Sequence, residues 1–285
     1  MPIQVVFDRN IINNLNAKTI EHKILPILSQ GKLLIHLAEP FLQEIIIDGA
    51  VTRRARHSKA FNQIFNGKMI LSMKEIFKAE LEGRKDLFFS ESVEDGIRQL
   101  LNVMAQGRPL NSFWEDRRQV LIKKKKLYDA DFKIGQEVNL KNVFRMISQA
   151  IKSGLFIKRD IENLKFEHYY EAWTNEQKLG KLHKILDVNE IAYKNDEYSY
   201  LDKVQYPRIN LWLRSWYAYH HYTTQRWQPT LRKNDATDLN YICCGYCVDH
   251  FITNDKMLLK VGNVCYGSVK FITWKDFESN VLSKI

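Results

Sequence analysis

Five carboxylates, Asp8, Glu44, Asp235, Asp238 and Asp255, stand where a folded sheet could bring them together. Asp8 ends the apolar run "IQVVF", and Asp255 follows the strand-like "VDHFIT" by two residues. Glu44 falls on the helical segment after a second apolar run, "KLLIHLA". Asp235 and Asp238 are three apart, so they share one face of a helix. In an open α/β sheet, ligands bind beyond the carboxyl ends of the strands. If these strands are parallel neighbours, the acids converge at one edge. A cluster of carboxylates repels itself unless a divalent cation neutralises it. Oxygen ligands of this kind suit one or two ions of Mg²⁺ or Mn²⁺. Each acid also has a purely structural use. Asp8 could cap the next helix, as could Asp235. Glu44 could be a solvated helix residue, with Glu39 a rival for its role, and Asp255 could sit in a turn.

The elements that must position these acids fall into three stretches. Residues 1–50 alternate short strands and helices: "IQVVF", then "NIINNLNA", "KLLIHLA" and "EPFLQEIIIDG". Pro40 near the start and Gly49 near the end of the last segment follow helix boundary chemistry. The alternation returns over residues 205–285. "YPRINLWLRSWYAYHHY" carries Ile209, Trp212, Leu213, Trp216 and His220 at helical spacing. "DATDLNYICCGY" reads as a helix, "VDHFIT" and "SVKFIT" as strands, and "TWKDFESNVL" as a helix with Thr273 and Asp276 placed like a capping box. Between them, residues 51–204 show helical periods with almost no strand alternation. The expected fold is α/β: an α/β/α core with a central, mainly parallel sheet, made from residues 1–50 and 205–285. Residues 51–204 are expected to form a large helical insertion or lid, with Gly83, Gly107, Gly135 and Gly154 as joints.

Composition narrows the partners. The 285 residues carry a formal net charge of +10, which favours a polyanion, usually nucleic acid. No apolar run approaches the roughly 20 residues of a spanning helix. No basic segment followed by an apolar one opens the chain, so a cytoplasmic location is expected. The cysteines, Cys243, Cys244, Cys247 and Cys265, include one CxxC. A zinc site usually takes two ligand pairs at defined spacing. Packing of small thiols on a helix is the better reading. The run Lys123–Lys126 reads as a solvated helix face.

Four segments in order, "VVFDRNII", "PFLQEII", "NDATDLNYI" and "FITNDKML", resemble the motifs of a PIN domain. The hydroxyl–Asn–acid triplet Thr253-Asn254-Asp255 is the most specific of them. The resemblance covers the two outer stretches and says nothing of the middle, which departs from the much shorter simple members of that family. It implies a metal-dependent nuclease, with ribonucleases, including toxins of toxin–antitoxin pairs, prominent among its relatives. Carried over, Asp8, Glu44 and one or both of Asp235 and Asp238 hold metal. Asp255 completes the cluster, directly or through water, and Thr253 and Asn254 orient water or phosphate.

The leading functional expectation is therefore a metal-dependent endonuclease hydrolysing phosphodiesters. RNA stands ahead of DNA as substrate, a toxin or defence role fits, and an inhibitor or partner protein is compatible with that role. The alternatives are a catalytically silent module of the same fold that binds nucleic acid or scaffolds a partner, and a structure-selective DNA nuclease with the insertion as a clamp. Arg53, Arg54, Arg56 and Lys59, after the Glu44 segment, are the expected phosphate contacts; their bland alternative is a solvated loop. In "WLRSWYAYHHYTTQRW" the apolar stripe reads as core, its other face offers Arg214, Tyr222 and Arg226, and neither His220 nor His221 is assigned to catalysis.

Overall fold

The run Ile3–Phe7 forms the first strand, β1, and its last three residues are buried. Leu33–His36 forms β2, His250–Ile252 β3 and Phe271–Ile272 β4. The computed structural model describes residues 1–155, 157–193, 198–225, 235–268 and 270–285; the side chains of 124, 127–140, 150, 158, 188 and 235–237 are outside the description. The four strands make one sheet in the order β2-β1-β3-β4, and every pairing is parallel. Parallel strands need crossover connections, usually helical, and those helices cover both faces. Val5, Val6, Leu33, Ile35, Phe251 and Ile252 are accordingly fully buried.

The register decides which chain ends meet. Phe7 pairs with Ile252, so the residues that follow, Asp8 and Thr253, emerge side by side. The Asp8 N–H donates to the Ile252 carbonyl at 2.9 Å, and the Thr253 N–H to the Ile272 carbonyl at 3.0 Å. The helix Glu39–Ile47 follows β2, with Pro40 in its first turn. Asp235–Cys244 precedes β3, and Lys256–Tyr266 follows it. The latter helix approaches β4 so closely at Gly262 that an added Cβ would lie 2.4 Å from the Phe271 ring.

Both outer strands are finished by asparagine side chains. Asn66 donates to the Leu33 carbonyl at 2.9 Å and accepts from the Ile35 N–H at 2.8 Å. Asn263 donates to the Phe271 carbonyl at 2.8 Å and accepts from the N–H groups of Lys270 and Phe271 at 2.9 and 2.8 Å. Beyond Asn66 the chain stays on the β2 edge, where Leu37 forms a parallel bridge with Met69.

The middle stretch is helical, as its periodicity predicts. Val51–Ile64, Met73–Leu81, Glu91–Ala105 and Asn175–Val188 are helices. Between residues 75 and 190, the described residues hold helices and one isolated bridge partner, Phe88. The hydrophobic core nevertheless runs on into this stretch, through Phe61, Ile64, Ile70, Phe77, Leu101 and Leu182. Gly83, Gly107 and Gly154 do sit at helix ends with positive φ. Gly135 does not: it lies inside one 41-residue helix, Ser112–Lys152. At 1.5 Å per residue that helix is about 60 Å long. A single helical glycine costs about 1 kcal/mol relative to alanine, which the many helix formers around it outweigh. Among the described residues no helix is long and apolar enough to cross a membrane.

Candidate functional site

Asp8 occupies the N-cap position of the helix Arg9–Asn14, yet its side chain makes no capping hydrogen bond. The carboxylate turns instead to β3. Its Oδ2 accepts from the Thr253 hydroxyl at 2.7 Å and from the Asn10 amide at 2.5 Å. Asp8 is only 7% exposed. Burial, which disfavours the ionised form, pushes its pKa up from 3.8 to about 7. The Thr253 hydrogen bond and the N–H groups of Arg9 and Asn10 oppose that rise, and the charge of Glu44 adds to it.

Glu44 reaches this edge from the face of the Glu39–Ile47 helix. Its pKa is raised by burial, against a hydrogen bond from Tyr241 and the charges of Arg9 and Lys125. The Tyr241 hydroxyl donates to Glu44 Oε2 at 2.8 Å. Tyr241 is itself buried, with a pKa raised well above the usual tyrosine range by desolvation and then by the charges of Glu44 and Asp8. Asp8, Glu44 and Tyr241 thus form one electrostatic unit at the carboxyl end of the sheet.

The remaining acids stand around this pair in different ways. Asp238 lies three residues before Tyr241, on the same helix face, and its Oδ2 accepts from the Tyr219 hydroxyl at 3.5 Å. The side chain of Asp235 lies outside the described residues. Asp255 is at the same end of the sheet as Asp8, but its Oδ1 caps the Lys256–Tyr266 helix, accepting from Met257 and Leu258 N–H groups at 2.7 and 2.9 Å. The Thr253 hydroxyl also accepts from the Asp255 N–H at 3.0 Å, which makes it the link between the two acids. Asn254 is exposed, and its Oδ1 accepts from the Trp274 N–H at 3.3 Å. Glu39, the rival to Glu44, hydrogen-bonds Gln43, and burial pushes its carboxyl up to about 7.

Among the described residues, no group of three or more His, Cys, Asp or Glu side chains is arranged to hold a metal ion. The chemistry of the acid pair still fits a hard cation. Its donors are oxygens from Asp8 and Glu44, and burial makes both acids costly to ionise without a compensating positive charge. Either a proton or a cation can supply it.

The four basic residues divide sharply. They lie on the helix Val51–Ile64, not a loop. Arg54 is buried and donates to the Asp48 backbone carbonyl at 2.8 Å, so its guanidinium is engaged inside the fold, contrary to the expected surface position for a phosphate contact. Arg53, Arg56 and Lys59 are exposed. Arg53 pairs with Asp48, as does Arg9. Burial alone would raise the Asp48 carboxyl. Hydrogen bonds from Arg53 and the Ala50 N–H, with the charges of Arg9 and Arg53, outweigh it and hold the group well below the usual carboxylate range.

Elsewhere, Trp212, Trp216, His220 and His221 are buried, which bears out the core reading of their helix, Pro207–Gln225. His220 meets the Tyr169 hydroxyl through Nδ1. Arg214 lies over the Phe166 and Tyr170 rings, each at 5.1 Å, and Arg226 falls outside the described residues. The four cysteines are free, and Cys243, Cys244 and Cys265 are buried. Sequence reasoning passed over Asn10, Tyr241 and Asp48. Asn10 follows Asp8 by two positions and Tyr241 follows Asp238 by three, spacings that a helix-face reading could have used.

Compared with family models, curated proteins and solved structures, the chain matches none.

Proposed function

We propose that the chain is a metal-dependent endonuclease that hydrolyses phosphodiester bonds, with RNA as the preferred substrate. The observation that carries this reading is the juxtaposition of buried Asp8 with half-buried Glu44 at the carboxyl end of a parallel sheet. Asp8 and Glu44 would hold Mg²⁺ or Mn²⁺, with Asp238 or Asp235 from the neighbouring helix and Asp255 completing the set. The cation would supply a Lewis acid at the phosphoryl oxygens and activate a water for in-line attack. Thr253 and Asn10 fix the Asp8 carboxylate, so that its lone pairs face one direction. Tyr241 orients Glu44 in the same way. The net positive charge of the chain supports a polyanionic substrate.

The test is cleavage of labelled single-stranded RNA, duplex RNA and DNA by wild type and Asp8→Asn, with Mn²⁺ or Mg²⁺ and then with chelator. Wild type should cleave RNA only with metal, and the variant should lose two or more decades of rate, roughly, as expected for loss of a metal ligand. Preference for branched or flapped DNA would favour the structure-selective reading, with the Ser112–Lys152 helix as its clamp. A silent module has one observation in its favour: Asp255 Oδ1 and Glu44 Oε2 already accept hydrogen bonds from the protein. That reading predicts no metal-dependent cleavage by wild type.

A further inference from the structure

Next to the acid pair lies a pocket of about 410 Å³, lined by Arg9, Glu44, Asp48, Arg53 and Lys125, with Asn13, Ile47 and Gly49 completing its wall. Its size falls within the range of small-ligand sites and exceeds what one phosphate group needs. Its charge is uneven. Three cationic side chains face it against two carboxylates, and one of those carboxylates is already shared. Asp48, whose side chain is 2% exposed, takes Arg9 on Oδ2 and Arg53 on both oxygens.

That sharing sets the geometry. Arg9 also donates to the Glu44 carbonyl at 3.3 Å, while its buried Nε has no partner among the described residues. Arg53 uses Nε and Nη2 on Asp48, and its side chain remains 53% exposed. The two guanidinium planes are therefore held in place before any ligand arrives. A ligand bound there would not have to order them, which removes part of the usual entropic cost. Behind them His57 is fully buried, and neither ring nitrogen has a hydrogen-bond partner among the described residues.

We infer that this pocket binds a phosphate carried on a nucleotide, with Arg9, Arg53 and Lys125 as its contacts and Asp48 as their positioning residue. A planar guanidinium matches phosphate oxygens in a two-point contact that an ammonium does not make. The inference rests on the nuclease reading for its substrate class: Glu44 lines both sites, so the bound phosphate would neighbour the bond to be cut. The phosphate could be a terminal monoester or an internal diester, and the arms of the test separate the two.

The experiment measures binding of the full chain to a fluorescent eight-nucleotide RNA by anisotropy, in chelator so that no cleavage occurs. The RNA carries either a 5′-phosphate or a 5′-hydroxyl. Arg53→Gln should weaken binding by roughly tenfold, the usual size of a charge-assisted hydrogen bond. Arg53→Lys should recover only part of the loss, and Lys125→Gln should weaken binding by a smaller factor. Inorganic phosphate should compete with RNA on wild type and lose that competition on Arg53→Gln. Tighter binding of the 5′-phosphorylated strand identifies the monoester as ligand; equal binding identifies the diester. Equal affinity of wild type and a folded Arg53→Gln overturns the inference, as does failure of inorganic phosphate to compete or of wild type to bind either strand. Phosphate competition without any metal-dependent cleavage would keep the pocket and sink the nuclease reading. Cleavage by Arg53→Gln at the wild-type KM would do the reverse.

Discussion

Replacing Asp8 with Asn should stabilise the protein, and by an amount that depends on pH. The carboxyl has a folded pKa of about 7 against an ordinary 3.8. A group whose pKa is raised on folding contributes stability below its unfolded value and loses it as pH rises through the folded value. For Asp8 that window runs from about pH 4 to about pH 7. At 1.36 kcal/mol per tenfold, the loss reaches about 4 kcal/mol at pH 8. Asn has no proton to lose over this range. Its amide oxygen can still accept from Thr253, and its NH₂ replaces a charge that repels Glu44. The gain should be near zero at pH 4 and about 4 kcal/mol at pH 8, roughly 8 °C in Tm at about 2 °C per kcal/mol for a long chain. The assay is thermal unfolding by circular dichroism from pH 4.5 to 8.5, in chelator. Mn²⁺ should then raise the wild-type Tm, most strongly above pH 7 where no proton must be displaced, and leave Asp8→Asn unmoved. Parallel pH profiles for the two proteins would refute the account of a buried, hard-to-ionise Asp8, whatever their activities.

Three further outcomes follow from the packing. Tyr241→Phe leaves Glu44 Oε2 without its donor and should cost about 1–3 kcal/mol in urea unfolding at pH 8. Gly262→Ala drives a methyl into the Phe271 ring and should cost about 1–3 kcal/mol or more, measured the same way. His57, His220 and His221 are held neutral by burial, each with a pKa lowered to about 4, so stability should fall as pH drops from about 6.5 toward 4. Replacing His220 with Gln should flatten that acid limb in a chelator-free denaturation series.

Much of this architecture is legible in the chain because it rests on local pattern. The runs "IQVVF" and "KLLIHLA" announce buried strands, and the periodicity of residues 207–225 announces a helix whose tryptophans are indeed buried. Asp8 is legible as a strand-end acid for the same reason. What escapes is decided by distant partners. Arg54 and Arg53 are neighbours of the same type, yet the backbone carbonyl of Asp48 draws one inside and leaves the other at the surface. Gly135 looks like a joint because glycine usually marks one, and only the summed propensity of a long helix overrides it. Tyr241 enters the site because the Asp235–Cys244 helix is rotated to face Glu44, a fact that no window of sequence contains.

The asparagines on β2 and β4 have a consequence for what can associate with this chain. A bare outer strand is a template on which another polypeptide can lay down a strand of its own. Here Asn66 and Asn263 stand in that place from within the same chain, each answering the backbone in both directions. A second chain laid against either edge would find no free backbone ladder at Leu33, Ile35 or Phe271. Capping of this kind favours association through side chains, where specificity is set by shape and charge rather than by the generic pairing of backbones.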